Sequence, residues 1–319
     1  MAGLQVIPAG KNKYHFSILI SWDGVFLFVF GGTVIIKEKM GAIMMMNEKR
    51  VKALIQEGRQ FMHCQSLEDQ DEFISDQQLK KPQPPLVKAA MRTQQIKLPR
   101  NFEALTKIED FTEILSRRHS SRVFTQEPIS LLQLSYLLWA SQGVKEIRGK
   151  QYATLRTVPS GGARHGFETY LIVRKCEGLK SGAYHYLPME HALEFLHEVD
   201  NDEQIISDSL CGQIWAGKAS VVFYWSLIAY RCEWRYGIRA HRVALIDAGH
   251  VGQNLYLSCA ALNLGACGIA AFDDAICSKL FDLDGNEEFV VYTAPVGTVN
   301  SDDIEKEKGF YRFVEEEGL

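Results

Sequence analysis

Three short apolar runs most constrain what this chain can fold into. They are "ASVVFYWSLI" (219–228), "CGIAAF" (267–272) and "FVVYTAPVG" (289–297), and β-branched or aromatic residues recur in each. Short apolar runs of this kind are typical of strands that are covered on both faces. The sequence therefore predicts a buried sheet at the centre of the fold.

Helical periodicity accompanies these runs. In "NFEALTKIEDFTEILSRRHS" (101–120) the positions on one helix face are Leu105, Ile108, Thr112 and Leu115. In "DAGHVGQNLYLSCAALNLGA" (247–266) they are Val251, Leu255, Cys259 and Leu262, with Gly265 near the end. Ser130 with Gln133 gives a capping-box pattern, and Gly143 can close the helix that follows. Interleaved helices and strands predict an α+β body of roughly 200 residues.

Composition narrows the class of partner. The 319 residues are 46% hydrophobic and 23% charged, as in ordinary globular proteins. A formal charge of −4 at pH 7 argues against a nucleic-acid surface, which needs clustered Lys and Arg. The seven cysteines are scattered without a CxxC pair, so we expect reduced thiols in a cytoplasmic enzyme. His185, His191 and His197 lack zinc-like spacing to other ligands, and we expect no metal site.

The N-terminal region differs from the rest. Asp23 interrupts its apolar residues, and the run Val25–Ile36 is too short to span a bilayer, so we expect no membrane segment. "WDG" and "FGG" are consistent with strands and turns, whereas Met46 opens a helix-prone segment and could be the natural start. The predicted segments are an apolar N-terminal extension (1–45), a helical and linker arm (46–100), the compact domain (101–300) and a C-terminal tail (301–319).

Small residues are concentrated in "RTVPSGGARHGFETYLIV" (156–173), just before a strand-like run. Pro-Ser-Gly-Gly is common turn chemistry. The same residues would also let a flat ligand lie against bare backbone, ahead of Arg164 and His165. On these residues alone the turn is the simpler interpretation.

The predicted helix over 101–120 ends in a basic cluster. Its members are Arg117, Arg118, His119, Ser120, Ser121 and Arg122. Cations near a helix C-terminus interact favourably with the helix dipole. Guanidinium groups and hydroxyls together also satisfy the oxygens of a phosphate. A helix cap and an anion site are therefore equally supported.

Seven sequence blocks then follow one another in a specific order. They are "RRHSSRVF", "LSYLLWASQGV", "RTVPSGGARHGFETYLIV", "EGLKSGAYHY", "RYGIRAHRVALIDAGHVGQNLYL", "LGACGIAAFDD" and "LDGNEEFVVYTAPVG". In this order, from Arg117 to Gly297, they resemble the SagB-type dehydrogenases of the nitroreductase superfamily. The resemblance implies a nitroreductase-like α+β fold, a mainly antiparallel sheet wrapped by helices, with FMN at a homodimer interface.

The resemblance also implies roles for single residues. The residues that match the flavin-binding basic motif are Arg118, Ser120 and Arg122, with His119 between them. Those that match the loop against the flavin are Pro159, Ser160, Gly161, Gly162 and Ala163. Those that match the segment at the reactive edge of the flavin are Gly268, Ala270 and Ala271. Nitroreductases often carry Glu-Gly at the last two positions, so only a backbone role carries over there.

SagB-type enzymes oxidise azoline rings of a precursor peptide to thiazoles or oxazoles, with a cyclodehydratase as partner. Their Lys-Tyr pair matches Arg235 and Tyr236 of this chain. Because arginine stays protonated in proteins, Tyr236 is the better candidate for proton transfer and Arg235 for binding a polar group. A surface cation beside a packed tyrosine is the structural alternative.

Two other functions stay open at this point. A free-standing flavin reductase would reduce nitroaromatics or quinones with NAD(P)H on the same fold. A non-catalytic subunit would hold a precursor peptide without turnover. Bleaching of bound flavin by NAD(P)H would indicate the reductase, and the absence of flavin would indicate the peptide-holding subunit.

Overall fold

The computed structural model describes residues 4–5, 19–22, 25–30, 33–63, 74–300, 302, 306–307, 309 and 312–318. The chain divides into two compact units, Met1–Ser66 and Leu67–Leu319. None of the helices within these ranges has the length and apolar character that crossing a bilayer requires.

The first unit contains a four-stranded antiparallel sheet and one long helix. In chain order and in sheet order these strands are β1 (Leu4–Gln5), β2 (Leu19–Trp22), β3 (Val25–Phe30) and β4 (Thr33–Ile36). The turn residues of "WDG" and "FGG" lie outside the described residues. The helix-prone segment that Met46 opens lies in α1 (Lys37–Met62), which begins among the helix-favouring Lys, Glu, Met and Ala that precede it.

The second unit is organised by a seven-stranded antiparallel sheet. The strands are β5 (Gln95–Lys97), β6 (Val144–Arg148), β7 (Ala153–Arg156), β8 (Phe167–Val173), β9 (Gly182–Leu187), β10 (Ala192–His197), β11 (Val221–Ile228), β12 (Leu264–Ala266) and β13 (Glu288–Thr298). The sheet order is β12-β13-β11-β8-β9-β10-β5, and β6 pairs with β7 in a separate hairpin. The strands predicted over 219–228 and 289–297 are therefore confirmed.

Helices pack on both faces of this sheet. They are α2 (Phe111–Arg117), α3 (Leu131–Gln142), α4 (Asp202–Ser209), α5 (Ala229–Tyr236), α6 (Ala240–Ala261), α7 (Asp274–Leu280) and α8 (Arg312–Glu317) in the tail. Phe223 and Trp225 of β11 join the core formed with α3 and α6, and Val222 and Tyr224 join the core formed with α4 and α7. Alternation along the strand thus builds two cores, and the predicted α+β architecture is confirmed.

Ser130 caps α3 with the capping box to Gln133, as predicted. Two other helix predictions are right in kind and wrong in extent. The helix predicted over 101–120 is only α2, because the Asp110 side chain accepts from the Glu113 N–H and starts the helix there. The helix predicted over 247–266 begins earlier, at Ala240, and ends at Ala261 because Asn263 takes a left-handed φ of 53°.

The segment 267–272 does not form the predicted strand. β12 ends at Ala266, and only an isolated bridge between Ile269 and Thr293 follows. The Cys267 and Ile269 N–H groups still donate to β13, at the carbonyls of Pro295 and Thr293. The Gly268 N–H between them donates to the hydroxyl of Tyr256 at 2.6 Å. Backbone contact with β13 therefore continues past β12 without forming a regular strand.

A buried carboxylate joins the sheet to α5 and to the arm before β5. Glu168 on β8 is 1% exposed and lies 2.5 Å from the Arg231 guanidinium and 3.2 Å from the His185 ring. Burial alone would raise the pKa of Glu168, but Arg231 and His185 outweigh it and lower that pKa. The Lys88 N–H of the arm also donates to the Glu168 carboxylate, at 2.8 Å.

Residues 74–97 lie along the sheet as an arm, which we define by this range. The Lys88 ammonium is 2.5 Å from Glu288 and donates to the Tyr170 hydroxyl at 2.8 Å. The Arg92 N–H donates to Glu194 at 2.6 Å. The arm thus supplies a cation and two backbone donors to carboxylates that the sheet buries.

We expect Lys88→Met to lower the free energy of unfolding by roughly 3 kcal/mol, because a buried carboxylate then loses its counter-charge. Lys81→Met is the matched control, since Lys81 pairs with Asp76 of the same arm in a more exposed position. Urea denaturation of both variants measures the difference. Equal destabilisation by the two substitutions would contradict the anchoring role of Lys88.

Candidate active site

The small-residue loop 159–163 connects β7 to β8 and is fixed by one carboxylate. Asp247 of α6 is 4% exposed and accepts from the Ser160 hydroxyl at 2.6 Å and from the Gly161 N–H at 3.0 Å. Burial raises the pKa of Asp247, against the opposing effect of these two hydrogen bonds. The His165 N–H in turn donates to the Ser160 hydroxyl at 2.9 Å, which closes the loop.

The glycines of the loop leave room for three side chains of this same chain. A Cβ on Gly161 would lie 2.3 Å from Val243. A Cβ on Gly162, whose φ is 54°, would lie 2.4 Å from the Arg235 Nε and 2.8 Å from the Tyr236 hydroxyl. The structure therefore shows the predicted turn, and it brings Arg235 and Tyr236 against the predicted loop.

Arg235 lies between two phenols. Its Nη1 donates to the Tyr152 hydroxyl at 3.0 Å, and its guanidinium is 5.7 Å from the centre of the Tyr236 ring. Partial burial opposes its charge, but the hydrogen bond to Tyr152 and the adjacent phenol of Tyr236 raise the pKa of Arg235. Arg235 is thus a fixed cation, in agreement with the argument that it cannot act as a base.

Arg164 and His165 are buried at the end of the loop. The Arg164 Nε donates to the Gly162 carbonyl at 3.1 Å. Burial, reinforced by the charge of Arg156, lowers the pKa of His165 to about 2, so its ring is neutral. Both residues therefore support the loop from beneath.

A second group of predicted residues meets at Tyr256 of α6. The Tyr256 hydroxyl is 3.0 Å from the Ser120 hydroxyl and accepts from the Gly268 N–H. The Arg118 guanidinium is 5.5 Å from the centre of the Tyr256 ring. The basic motif and the segment after β12 are thus joined through one phenol.

The other residues predicted around this group have local partners. The His119 ring donates from Nδ1 to the Arg117 carbonyl at 2.9 Å and lies 3.1 Å from the Ser121 hydroxyl. The Arg122 N–H donates to the Glu307 carboxylate from the C-terminal tail. Lys308 of the same tail lies outside the described residues.

A glycine is required at position 268, because this residue lies close against β13. A Cβ at this position would lie 1.9 Å from the Tyr292 hydroxyl, so no larger residue fits without moving that side chain. Ala270 and Ala271 are exposed, and the Ala271 carbonyl accepts from the Gln213 side chain at 3.3 Å. Ala270 and Ala271 therefore lie at the surface just after the residue that contacts Tyr256.

The two groups lie on opposite faces of α6. Asp247 and Tyr256 are nine residues apart in the helix, which is a half-turn of rotation and about 13.5 Å along the axis. Tyr256 shares its face with Leu245, which is 51% exposed, and with Gly249, which has no neighbour around its Cβ direction. One chain thus presents two separate groups of candidate site residues, which we call half-sites.

Sequence reasoning missed the residues that organise both half-sites. Asp247, Tyr256 and Tyr152 are ordinary residue types at unremarkable spacings. The available signal for Asp247 was a carboxylate inside an otherwise apolar helical stretch, which requires a buried partner. Asn254 gives the same signal, and its side chain donates to the Ala140 carbonyl at 2.8 Å.

Among the described residues, no three His, Cys, Asp or Glu side chains are grouped so that they could hold a metal ion. The three histidines considered above have other partners. The His185 ring contacts Glu168 and Glu194, and that of His191 contacts Tyr186 at 2.8 Å. The His197 ring lies 2.9 Å from the Leu280 carbonyl.

Comparison with known proteins agrees with this architecture. Residues 115–298 match the Nitroreductase family. The chain belongs to that family. MJ1384 of Methanocaldococcus jannaschii, which carries the name of a nitroreductase, is 31% identical over 64% of this chain and 96% of its own length. The chain is therefore a nitroreductase-family oxidoreductase.

Two relatives take part in peptide processing, as their names state. Microcin B17-processing protein McbC of Escherichia coli is 28% identical over 46% of this chain and 56% of that protein. Trifolitoxin-processing protein TfxB of Rhizobium leguminosarum is 26% identical over 40% of this chain and 36% of that protein. The predicted recognition, a nitroreductase-superfamily protein related to peptide-processing members, is confirmed.

Solved structures confirm the nitroreductase-like fold. A nitroreductase-family protein of Ralstonia eutropha JMP134 superposes with a TM-score of 0.54 and 26% identity, covering 69% of this chain and 95% of the other. The E. coli microcin synthetase McbBCD complex with truncated pro-MccB17 bound contains a chain that matches with a TM-score of 0.51. That chain is 22% identical, over 76% of this chain and 97% of its own length, and shows the fold alone.

We expect Asp247→Ala to destabilise the protein by about 1–3 kcal/mol and to open the loop 159–163, because the Ser160 hydroxyl and the Gly161 N–H lose their acceptor. Asp247→Asn is the control, since its amide oxygen can still accept. Hydrogen exchange of the Gly161 and His165 amides reports the opening. Wild-type exchange rates in the alanine variant would contradict the role of Asp247.

Proposed function

We propose that this protein is an FMN-dependent oxidoreductase that dehydrogenates azoline rings to thiazoles or oxazoles in a ribosomally made peptide. Membership of the nitroreductase family and similarity to two peptide-processing proteins support the reaction class. The observation that carries the proposal is the position of Arg235 and Tyr236, packed into the space above Gly162 of the loop. These are the residues that the resemblance to SagB-type dehydrogenases matches to substrate handling.

The half-site at Tyr256 fits an FMN phosphate. Arg118 and Ser120 supply a guanidinium and a hydroxyl, the donor types that phosphate oxygens accept. Within the described part of the chain, no carboxylate pairs with Arg118, so its charge is available. Arg122 and His119 complete the basic motif. A bound FMN would supply the two-electron acceptor that no side chain of the protein can provide.

A homodimer would unite the two half-sites. Leu245 and Ile246 of α6, with Ile238 before it and Phe111 of α2, are each more than half exposed. Large apolar side chains exposed together on a helix are typical of protein interfaces. We propose that two copies pair through this face and that each active site contains residues from both protomers.

Tyr236 is the proposed proton acceptor of the reaction. Oxidation of an azoline removes two hydrogens, of which one leaves as a proton and needs a base. The Tyr236 hydroxyl lies at the Gly162 gap, beside the permanent cation of Arg235. Gly161 and Gly162 of the loop pack closely against this pair.

The proposed partners are a cyclodehydratase, which would form the azoline, and the precursor peptide. We place the reaction in the cytoplasm, because the cysteines of the described residues are free and five of them are buried. A free-standing NAD(P)H-dependent nitroreductase is the second candidate, supported by the similarity to MJ1384 over nearly its whole length. A peptide-holding subunit without turnover would share the fold but would not need Tyr236.

We expect purified protein to carry FMN, and Arg118→Ala to weaken FMN binding about tenfold to a hundredfold, because a charge-assisted hydrogen bond to phosphate is lost. Arg117→Ala is the matched control, since the guanidinium of Arg117, the neighbouring residue, already pairs with the Glu113 carboxylate at 2.7 Å. Quenching of flavin fluorescence measures both affinities. Protein that is colourless and fails to bind added FMN would overturn the cofactor assignment.

We expect Tyr236→Phe to slow azole formation by roughly 10²–10⁴-fold with flavin binding unchanged, because a positioned base is removed. Mass spectrometry follows the loss of about 2 Da from the peptide that removal of two hydrogens causes. Co-expression of Arg118→Ala and Tyr236→Phe chains tests the shared site. A mixed dimer should have about half of wild-type activity, and a randomly assorted pool about a quarter, because one of the two sites in a mixed dimer is intact only if protomers share sites.

Three results would redirect the proposal. Azole formation at the wild-type rate by Tyr236→Phe would move the base elsewhere. Mixed dimers without activity would place both half-sites of a functional site in one protomer. Oxidation of NAD(P)H with a nitroaromatic, without any change in azoline peptides, would favour the free-standing reductase.

A further inference from the structure

The hairpin turn before β7 places Tyr152 beside the proposed active site. Its side chain is 42% exposed. The hydroxyl oxygen accepts from the Gln77 side chain of the arm at 3.2 Å and from Arg235 Nη1 of α5 at 3.0 Å. A phenol oxygen with two N–H donors is arranged to stabilise its own ionised form, because both hydrogen bonds strengthen when the oxygen is negative.

Two guanidinium groups face Tyr152. Arg164 donates from Nη2 to the Tyr152 carbonyl at 2.9 Å, and its guanidinium is 5.1 Å from the centre of the ring. Arg235 approaches from the other side through its hydrogen bond. Among the residues that the structure describes, no carboxylate pairs with either arginine. Negative charge at this place must therefore come from the phenol itself or from a bound anion.

These contacts change the acidity of Tyr152 in one direction. The hydrogen bond from Gln77 lowers the pKa of Tyr152 most, and burial opposes it. The hydrogen bond and charge of Arg235 and the charge of Arg164 lower that pKa further. Together they lower the pKa of Tyr152 below its ordinary value of about 10. Tyr230 is a useful contrast, since its hydroxyl donates to Asp76 at 2.8 Å and its pKa is raised.

We propose that Tyr152 is the positioning residue of the Arg235–Tyr236 pair and that its phenol oxygen, when ionised, is the counter-charge of the Arg235 guanidinium. The stem of Arg235 fills the gap over Gly162 beside the Tyr236 hydroxyl, so fixing the guanidinium also fixes that gap. Tyr152 acts through Arg235 and is assigned no contact with substrate. The inference deepens the proposed function and rests on it for the kinetic part of its test.

The proposal gives the site a direction of pH dependence. Above the pKa of Tyr152 the contact to Arg235 is a phenolate–guanidinium ion pair, and below it the contact is a neutral hydrogen bond, which is weaker. Since that pKa is lowered, the ion pair forms in a range below about pH 10. The ordering of Arg235, and with it turnover, should rise as pH rises through this range.

The first experiment observes the phenol directly and needs no turnover. Protein labelled with 13Cζ-tyrosine is titrated by NMR, and the Tyr152 resonance is assigned by its absence in Tyr152→Phe. We expect it to titrate below pH 10 and to move to higher pH in Arg235→Met and in Gln77→Ala. Titration of Tyr152 at or above the ordinary value, or no change in Arg235→Met, would overturn the proposal whatever the protein oxidises.

The second experiment separates positioning from a general loss of structure. In wild type we expect kcat/KM for azoline oxidation to rise with pH, and in Tyr152→Phe we expect the rise to flatten and the upper value to fall about tenfold to a hundredfold. Tyr230→Phe, the matched control on α5, should keep the wild-type profile. Arg235→Lys should retain the rise, because a lysine also pairs with a phenolate.

Two kinetic results would count against the proposal. A uniform decrease in Tyr152→Phe at every pH would indicate a structural role alone. A rise in KM with an unchanged pH profile would indicate that the two arginines bind an anionic group of the substrate, with Tyr152 only lining that site. If wild-type protein oxidises no azoline, the proposed function fails, while the NMR titration still decides the role of Tyr152.

Discussion

The buried carboxylate of Glu168 is the interaction on which the site depends. It sits at the start of β8 and contacts α5 through Arg231, β9 through His185 and the arm through the Lys88 N–H. A buried charge of this kind is stable only with all its partners in place, since removal of one leaves uncompensated charge in a low dielectric. The position of α5, which ends at Tyr236, is therefore set from the interior of the sheet.

The glycines of the candidate active-site loop are needed because other side chains approach it closely, and not because the loop has to be flexible. Gly161 and Gly162 are small because Val243, Arg235 and Tyr236 occupy the volume that side chains would fill. The polar groups of the loop are satisfied by Asp247 from α6. A turn fixed by both packing and hydrogen bonds presents one defined surface, which catalysis requires of a substrate-facing loop.

Strands and the capped helix α3 could be predicted from sequence because their signals are local. The continuous apolar run of β11 and the capping box at Ser130 each involve neighbouring residues. The lengths of α2 and α6 were missed because single residues, Asp110 and Asn263, override periodicity at their ends. The loop, the basic motif and the Arg235–Tyr236 pair came from resemblance. Their contact partners Asp247, Tyr256 and Tyr152 could not be predicted in this way, since these contacts join residues that are far apart in sequence.

The arm lies outside the segment that matches the nitroreductase family, residues 115–298, and yet it contacts the site. Gln77 bonds to Tyr152, and its N–H donates to the Trp234 carbonyl at 2.8 Å, one residue before Arg235. The Trp234 indole donates back to the arm at Lys81 at 3.1 Å. The arm therefore adds contacts at the end of α5, next to the candidate Arg235–Tyr236 pair, from outside the segment that matches the family.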